Sequence, residues 1–129
     1  MSQIEAEDSA YCAGFLEADG CIFLGNSCSV RVTNRCLSVL EYFKSLYGGT
    51  IRPKSTPEGC FDWVVHGQEA EVFLSNVEPY LRFKRPQVHI WRDFRSTIGV
   101  RGKKLTPEIK SLRDSLMTKM KEEKARWRK

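Results

Sequence analysis

The chain contains 129 residues, of which 41% are hydrophobic and 29% are charged, and its formal net charge is +5. This length and composition predict one soluble globular domain over residues 1–129, and no apolar run is long enough to cross a bilayer. The N-terminus also lacks the basic and apolar parts of a signal peptide, so we expect neither a membrane protein nor a secreted one.

Helix and strand signals alternate along the chain, and glycine and proline mark most of the boundaries. The predicted elements are a helix capped by Asp8 or Ser9 and ending at Asp19, strands 21–25 and 28–34, helix 35–47, strands 50–54 and 60–66, helix 68–81, a helix after RFKRP that reaches Gly99, and a terminal helix from Thr106 with Ile109, Leu112, Leu116 and Met120 on one face. Gly20 takes the C-terminal glycine position of the first helix, and Asn26-Ser27 predicts a tight hairpin turn. Pro53 predicts an edge strand or a strand end.

Two α-β-β units follow each other in this order of elements. They predict an α+β fold with an α-β-β-α-β-β-α core, in which one antiparallel sheet carries helices on one face. The core spans about residues 8–97, and C-terminal helices extend it over about residues 106–127.

Cysteine and charge patterns indicate the compartment and the kind of partner. Five cysteines without a C-x-x-C pair predict reduced thiols in an intracellular, reducing compartment rather than disulfides or a zinc site. The first 30 residues contain five acidic residues and no lysine or arginine, whereas the other 99 residues contain all 21 basic ones. This asymmetry suits a polyanion-binding surface around a cation site, but charge alone favours the alternative, a solvated surface of mixed charge.

The first helix has an unusual distribution of side-chain sizes. At 100° per residue, one arc is nearly bare of large side chains and the opposite arc holds Tyr11, Cys12, Phe15 and Leu16. The bare arc comprises Ala10, Ala13, Gly14, Glu17 and Ala18. Small residues allow a second backbone to approach closely, so we expect the same helix of a second copy to pack there. The alternative is a helix buried within a monomer.

Asp19 lies where the partial negative charge of the helix carbonyls disfavours an acid. In a two-fold dimer, two such carboxylates lie side by side, and divalent cations would relieve their repulsion. Asp19 is therefore a candidate metal ligand, and the alternative is a common Asp-Gly turn.

The stretch CAGFLEADG, residues 12–20, resembles the signature of the LAGLIDADG homing endonucleases, with Cys for the first Leu and Glu for the first Asp. The order of elements and the Phe-Lys-Arg-Pro-Gln stretch also match, and the resemblance covers about residues 8–97. A single copy of the motif implies the homodimeric branch of the family, with the motif helices at the dimer interface.

The resemblance implies the roles of several residues. Asp19 and the carbonyl of Ala18 are the implied ligands of Mg²⁺ or another divalent cation such as Mn²⁺. Paired metals would stabilise the attacking and leaving oxygens of phosphodiester hydrolysis, with water as the nucleophile. The residues implied to organise that water are Asn34, Lys84 and Gln87. A further basic position falls on Ser38, which is a departure from the family pattern.

The resemblance also implies that the sheet binds double-stranded DNA. Alternation predicts that Val30, Val32, Ile51, Trp63 and Val65 face the core. The residues predicted to face outward, where the resemblance implies DNA, are Ser29, Arg31, Thr33, Arg52, Lys54, Asp62 and Val64. Arg31 and Arg52 are the predicted base readers, because arginine pairs bidentately with guanine. The predicted phosphate contacts are Lys54, Arg82, Arg85, Arg101, Lys103 and Lys104.

The function that the resemblance implies is a homodimeric, metal-dependent DNA endonuclease that acts on a long, near-palindromic site and leaves short 3′ overhangs. Two alternatives remain open. One is an RNA splicing maturase, for which RNA would be a partner. The other is a non-cleaving DNA-binding protein of the same fold, which would be indifferent to divalent metal.

Overall fold

The computed structural model describes residues 4–25, 28–54, 59–98 and 106–126. Its elements are α1 (Ala6–Asp19), β1 (Gly20–Phe23), β2 (Ser29–Asn34), α2 (Leu37–Tyr47), β3 (Thr50–Pro53), β4 (Phe61–His66), α3 (Gly67–Val77), a 3₁₀ turn (Glu78–Tyr80), α4 (Arg85–Ser96) and α5 (Pro107–Arg126). The predicted order and the α+β class are confirmed. The predicted turn at Asn26-Ser27 lies outside the described residues. None of the described helices combines the length and the hydropathy that a membrane span requires.

The four strands form one antiparallel sheet in the order β1-β2-β4-β3. Val30 and Val32 on β2 and Trp63 and Val65 on β4 are fully buried beneath the helices, as their alternation predicts. Ile51, also predicted to face inward, is only half-buried because β3 lies at the edge of the sheet. Pro53 ends that edge strand, where a missing backbone N–H costs no interior ladder bond.

Aromatic rings form the centre of the core between the sheet and the helices. The Trp63 ring lies 5.0 Å from the Phe43 ring and 5.1 Å from the Phe73 ring, centroid to centroid. Trp63 Nε1 donates a hydrogen bond of 2.8 Å to the carbonyl of Gly48, so the buried indole is satisfied. A Cβ on Gly49, which has a φ of +88°, would lie 2.6 Å from the carbonyl oxygen of Val64. The glycine pair therefore lets the chain turn from α2 into β3 against the sheet.

The boundaries of α1 differ from the prediction. The helix begins at Ala6, so Asp8 and Ser9 lie inside it and do not cap it. Asp8 instead accepts a hydrogen bond of 2.5 Å from the Tyr42 hydroxyl. Gly20 is extended, with a φ of −104°, and opens β1 directly. A Cβ there would lie 2.7 Å from the carbonyl oxygen of Leu16, so close approach rather than a left-handed turn requires the glycine.

Two later helices also differ from the prediction, α3 in where it ends and α5 in how far its apolar face is buried. Helix α3 ends at Val77, four residues before the prediction, and Pro79 lies in the 3₁₀ turn that follows. Along α5, Leu116 and Met120 are buried, whereas Leu112 is 49% exposed, so the predicted apolar face is buried only in part. Arg113 links α5 to the end of α4, because its guanidinium donates to the hydroxyl and the carbonyl of Thr97 at 2.9 Å.

Candidate functional site

Three predicted site residues, Asp19, Asn34 and Lys84, meet where α1 ends. Asp19 is the last, exposed residue of the helix, and Asn34 at the end of β2 donates from Nδ2 to Asp19 Oδ2 at 3.2 Å. Asn34 Oδ1 accepts the backbone N–H of Cys36 at 2.8 Å, which fixes the orientation of the amide. The Asn34 amide therefore holds the Asp19 carboxylate in one position without neutralising it.

Lys84 compensates the carbonyl-rich end of the same helix. Its ammonium donates to the carbonyl of Leu16 at 2.8 Å and to the carbonyl of Gly20 at 2.5 Å. Burial lowers the pKa of Lys84, although the neighbouring Cys21, Glu17 and Asp19 oppose that shift. A cation at a helix C-terminus is favourable, so Lys84 stabilises the backbone that carries Asp19 and also brings positive charge to the site.

Glu17 has a different neighbourhood from the one predicted. Its carboxylate accepts the backbone N–H groups of Arg82, Phe83 and Lys84, with shortest distances of 3.0, 2.5 and 2.9 Å. Burial opposes ionisation, but these three hydrogen bonds and the Lys84 charge hold the pKa of Glu17 below its usual value. The Glu17 carboxylate therefore binds the Arg82–Lys84 segment of its own chain, and its place on the dimer arc stays a prediction.

The small-residue arc of α1 is narrower than the sequence indicated. Ala13 is 1% exposed and belongs to the core, so it offers no surface to a partner. Ala10, Gly14 and Ala18 are exposed, and a Cβ on Gly14 would meet nothing within 4 Å in this chain. Next to these residues lies a cavity of about 530 Å³ that the 3₁₀ turn and Arg82 also line. Dimerisation through this arc stays a prediction.

The outer face of the sheet contains two buried members of the predicted DNA-binding set. Arg52 and Lys54 are exposed, and Ser29, Arg31 and Thr33 are partly exposed. Asp62 and Val64, however, are 7% and 4% exposed, because neighbouring side chains cover them. Their prediction as groove-contacting residues is therefore wrong, although the strand register does orient both of them away from the helices.

Residues that were not among the predicted DNA contacts also lie on this outer face. Cys21 and Phe23 of β1 alternate with the buried Ile22, so the period-2 pattern of CIF could have identified them. Lys124 Nζ lies 4.9 Å from the centroid of the Phe23 ring. The sequence gives no signal for Lys124, because the packing of α5 against α4 brings that helix beside β1.

The remaining predicted site residues are less closely associated with Asp19. Gln87 is 3% exposed, and its backbone N–H donates to the Lys84 carbonyl at 3.0 Å. Ser38 is exposed on α2. The Arg85 guanidinium donates to the carbonyls of Glu78 and Pro79 at 3.2 Å, so it fastens the 3₁₀ turn. The predicted phosphate contacts Arg101, Lys103 and Lys104 lie outside the described residues.

Comparison with solved structures reveals extensive structural similarity. Archaeal intron-encoded homing endonuclease I-Vdi141I, complexed with DNA, aligns with a TM-score of 0.78 and 22% identity over 93% of this chain and 86% of that one. Homing endonuclease I-CvuI, in complex with its target in the presence of Ca, aligns with a TM-score of 0.72 and 22% identity over 88% and 82%. The I-LtrWI LAGLIDADG homing endonuclease, bound to target DNA, has a TM-score of 0.71 and 17% identity, and the match covers 93% of this chain and 45% of that one. This chain has the LAGLIDADG homing endonuclease fold.

Sequence comparison gives a shorter match. The intron-encoded RNA maturase bI4 of Saccharomyces cerevisiae is 31% identical in an alignment of 71 positions that covers 49% of this chain and 11% of the relative. The chain thus spans about a tenth of the length of that relative. No family model matches the chain.

The exposed donor groups at the end of α1 suit a hard divalent cation such as Mg²⁺. Among the residues that the structure describes, no three His, Cys, Asp or Glu side chains cluster closely enough to form a complete metal site. Mg²⁺ nevertheless keeps several waters and commonly takes one or two carboxylates together with substrate phosphates. The exposed Asp19 carboxylate and the adjacent Ala18 carbonyl are compatible with such coordination.

Proposed function

We propose that this chain is a site-specific double-stranded DNA endonuclease that acts as a homodimer. It hydrolyses phosphodiester bonds with Mg²⁺ or a similar divalent cation such as Mn²⁺, on a long, near-palindromic site, and leaves short 3′ overhangs. The observation that carries the proposal is the exposed Asp19 carboxylate at the end of α1, held by Asn34 and adjacent to the Lys84 ammonium. The free state of all five cysteines supports a reducing, intracellular compartment.

The chemistry follows from what these residues can do. Asp19 and the Ala18 carbonyl would hold the divalent cation, which polarises phosphate oxygens and lowers the pKa of bound water. Asn34 keeps the carboxylate oriented through its 3.2 Å hydrogen bond. Lys84, whose ammonium donates to the Gly20 carbonyl, would bring a positive charge near the reacting phosphate, and charge aimed at the transition state is a large source of catalysis.

The outer face of the sheet supports duplex DNA as the substrate. Arg52 is exposed on β3 and Lys54 is exposed directly after it, Arg31 is partly exposed on β2, and Lys124 approaches β1 from α5. Their charges extend across both halves of the face, whereas Asp62, the one carboxylate on the outer face of the four described strands, is buried. Basic side chains along such a face match the phosphates on both sides of a groove.

Asp19→Asn tests the proposal on a duplex selected from a randomised library. The variant keeps the shape of the side chain and loses its charge, so we expect strand cleavage in Mg²⁺ to fall below detection. DNA binding should persist or tighten, because a carboxylate near the scissile phosphates repels them. Asp93→Asn, at an exposed position of α4, removes the same charge elsewhere and should cleave like the wild type. Cleavage by Asp19→Asn at the wild-type rate would contradict the proposal.

The similarity to the yeast maturase supports a second candidate, an RNA splicing factor that uses the same fold. An RNA splicing assay with the intron that carries the reading frame distinguishes the two functions. Stimulated splicing without DNA cleavage would favour the maturase. Duplex binding that is unaffected by divalent metal, with neither cleavage nor splicing, would indicate a non-cleaving DNA-binding protein.

A further inference from the structure

An aromatic ring and a carboxylate flank Arg31 on the outer face of the sheet. The guanidinium carbon of Arg31 lies 4.9 Å from the centroid of the Phe23 ring, and Arg31 Nε lies 3.9 Å from Asp62 Oδ2. Arg31 pairs with Cys21 on β1 and with Val64 on β4, so Phe23 and Asp62 are its diagonal neighbours on either side. A cation over a ring and an ion pair with a carboxylate together restrict where the guanidinium can lie.

Asp62 is unexpected on a face that we propose binds a polyanion. Its side chain is only 9% exposed, and its Oδ1 accepts a hydrogen bond of 2.6 Å from the Thr33 hydroxyl. A carboxylate so covered does not reach a base edge, and its hydrogen bond fixes its own orientation. Its charge therefore acts on its neighbours, of which Arg31 is in ionic contact with it.

The accessible donors of Arg31 are the ones that would meet a base. Its Nε is shielded from solvent, and no residue that the structure describes accepts a hydrogen bond from it. The side chain as a whole is 36% exposed, so the terminal amino groups are the donors available to a ligand. Recognition of guanine by arginine depends on the orientation of the planar fork, and a guanidinium that rotates freely discriminates poorly.

We propose that Phe23 and Asp62 are positioning residues that orient Arg31 to read one base pair in each half-site. Asp62 does so without contacting DNA. This inference rests on the proposed function, since it requires the sheet to bind duplex DNA. It gives a role in specificity to Phe23, which is uncharged and was not among the predicted DNA contacts. It also changes the role of Asp62 from contacting DNA to supporting Arg31.

The test is selection of bound duplexes from a randomised library, with sequencing, in Ca²⁺ to suppress cleavage. Arg31→Ala identifies the base pair that Arg31 reads. Phe23→Leu and Asp62→Asn should each relax preference at that same base pair by roughly tenfold, while preference at the rest of the site is unchanged. Phe23→Tyr retains the ring and should restore the wild-type preference.

Two further variants separate positioning from general effects of charge and folding. Asp93→Asn on α4 removes one negative charge from an exposed position and should leave the whole preference unaltered. Thr33→Val removes the hydrogen bond to Asp62 at nearly constant volume, and should relax the same base pair even if Asp62→Asn does not fold. Thermal unfolding of each variant verifies that it is folded.

The outcomes distinguish the inference from the proposed function. If the wild type enriches no sequence, the proposed function fails and the inference fails with it. If the wild type enriches a site but Phe23→Leu, Asp62→Asn and Thr33→Val keep full preference where Arg31→Ala loses it, only the positioning role is wrong. Uniform loss of preference at every position would also refute that role.

Discussion

Replacement of Glu17 by glutamine should destabilise the protein, because the carboxylate joins α1 to the segment before α4. Glu17 accepts backbone N–H groups from Arg82, Phe83 and Lys84. Glutamine keeps one acceptor oxygen, loses the charge, and turns an amino group toward donors that are already aimed at it. Hydrogen bonds to a charged group contribute about 1.5–3 kcal/mol. Because Glu17 is half-buried rather than buried, we expect a loss of about 2 kcal/mol in the free energy of unfolding.

The pH dependence provides a second readout of the same interaction. The pKa of Glu17 is below its usual value in the folded state, so its contribution to stability is present above the unfolded pKa and is lost as the pH falls. The difference between the wild type and Glu17→Gln should therefore be full at pH 7 and shrink below about pH 4.5.

Urea denaturation of both proteins at several pH values measures this difference. Glu41→Gln, on the exposed side of α2, is the matched control and should stay within about 0.5 kcal/mol of the wild type. Equal denaturation midpoints for Glu17→Gln and Glu41→Gln at pH 7 would refute the reasoning. A difference that is constant down to pH 3 would also refute it, because it would mean that the charge of Glu17 is not the cause.

Two further predictions concern the end and the exposed arc of α1. Lys84→Met keeps the aliphatic stem but leaves the Leu16 and Gly20 carbonyls without their donor. The free energy of unfolding, measured by urea denaturation, should therefore fall by about 1–3 kcal/mol. The cleavage rate should fall as well. Wild-type stability in Lys84→Met would show that water replaces the ammonium. Gly14→Leu should not clash within the chain, because a Cβ there meets nothing within 4 Å, and helix propensity should raise monomer stability by up to about 1 kcal/mol. The same change should weaken a dimer that packs on this arc, and unchanged association in sedimentation equilibrium would show that the interface lies elsewhere.

Much of the fold is predictable from local patterns. Alternation along β2 and β4 identifies Val30, Val32, Trp63 and Val65 as inward-facing, and all four are fully buried. Glycine pairs and proline give most element ends within a few residues, because they act on the backbone of their own neighbours. The start of α1 is an exception, and its cause is a tertiary contact rather than a local one. A side chain that could cap a helix, such as Asp8, is drawn into a tertiary hydrogen bond with Tyr42 that the local sequence does not encode.

The residue type and position of Asp19 identify the centre of the candidate site, whereas its surroundings depend on contacts between distant parts of the chain. Lys84 reaches carbonyls that are 64 and 68 residues away, and Glu17 binds a segment 65–67 residues away. Periodicity shows which side of an element faces the core, but it does not show what covers the other side. For that reason the sequence alone orients Asp62 outward, while only the packed sheet, with Arg31 and Thr33 against that carboxylate, makes it inaccessible to DNA.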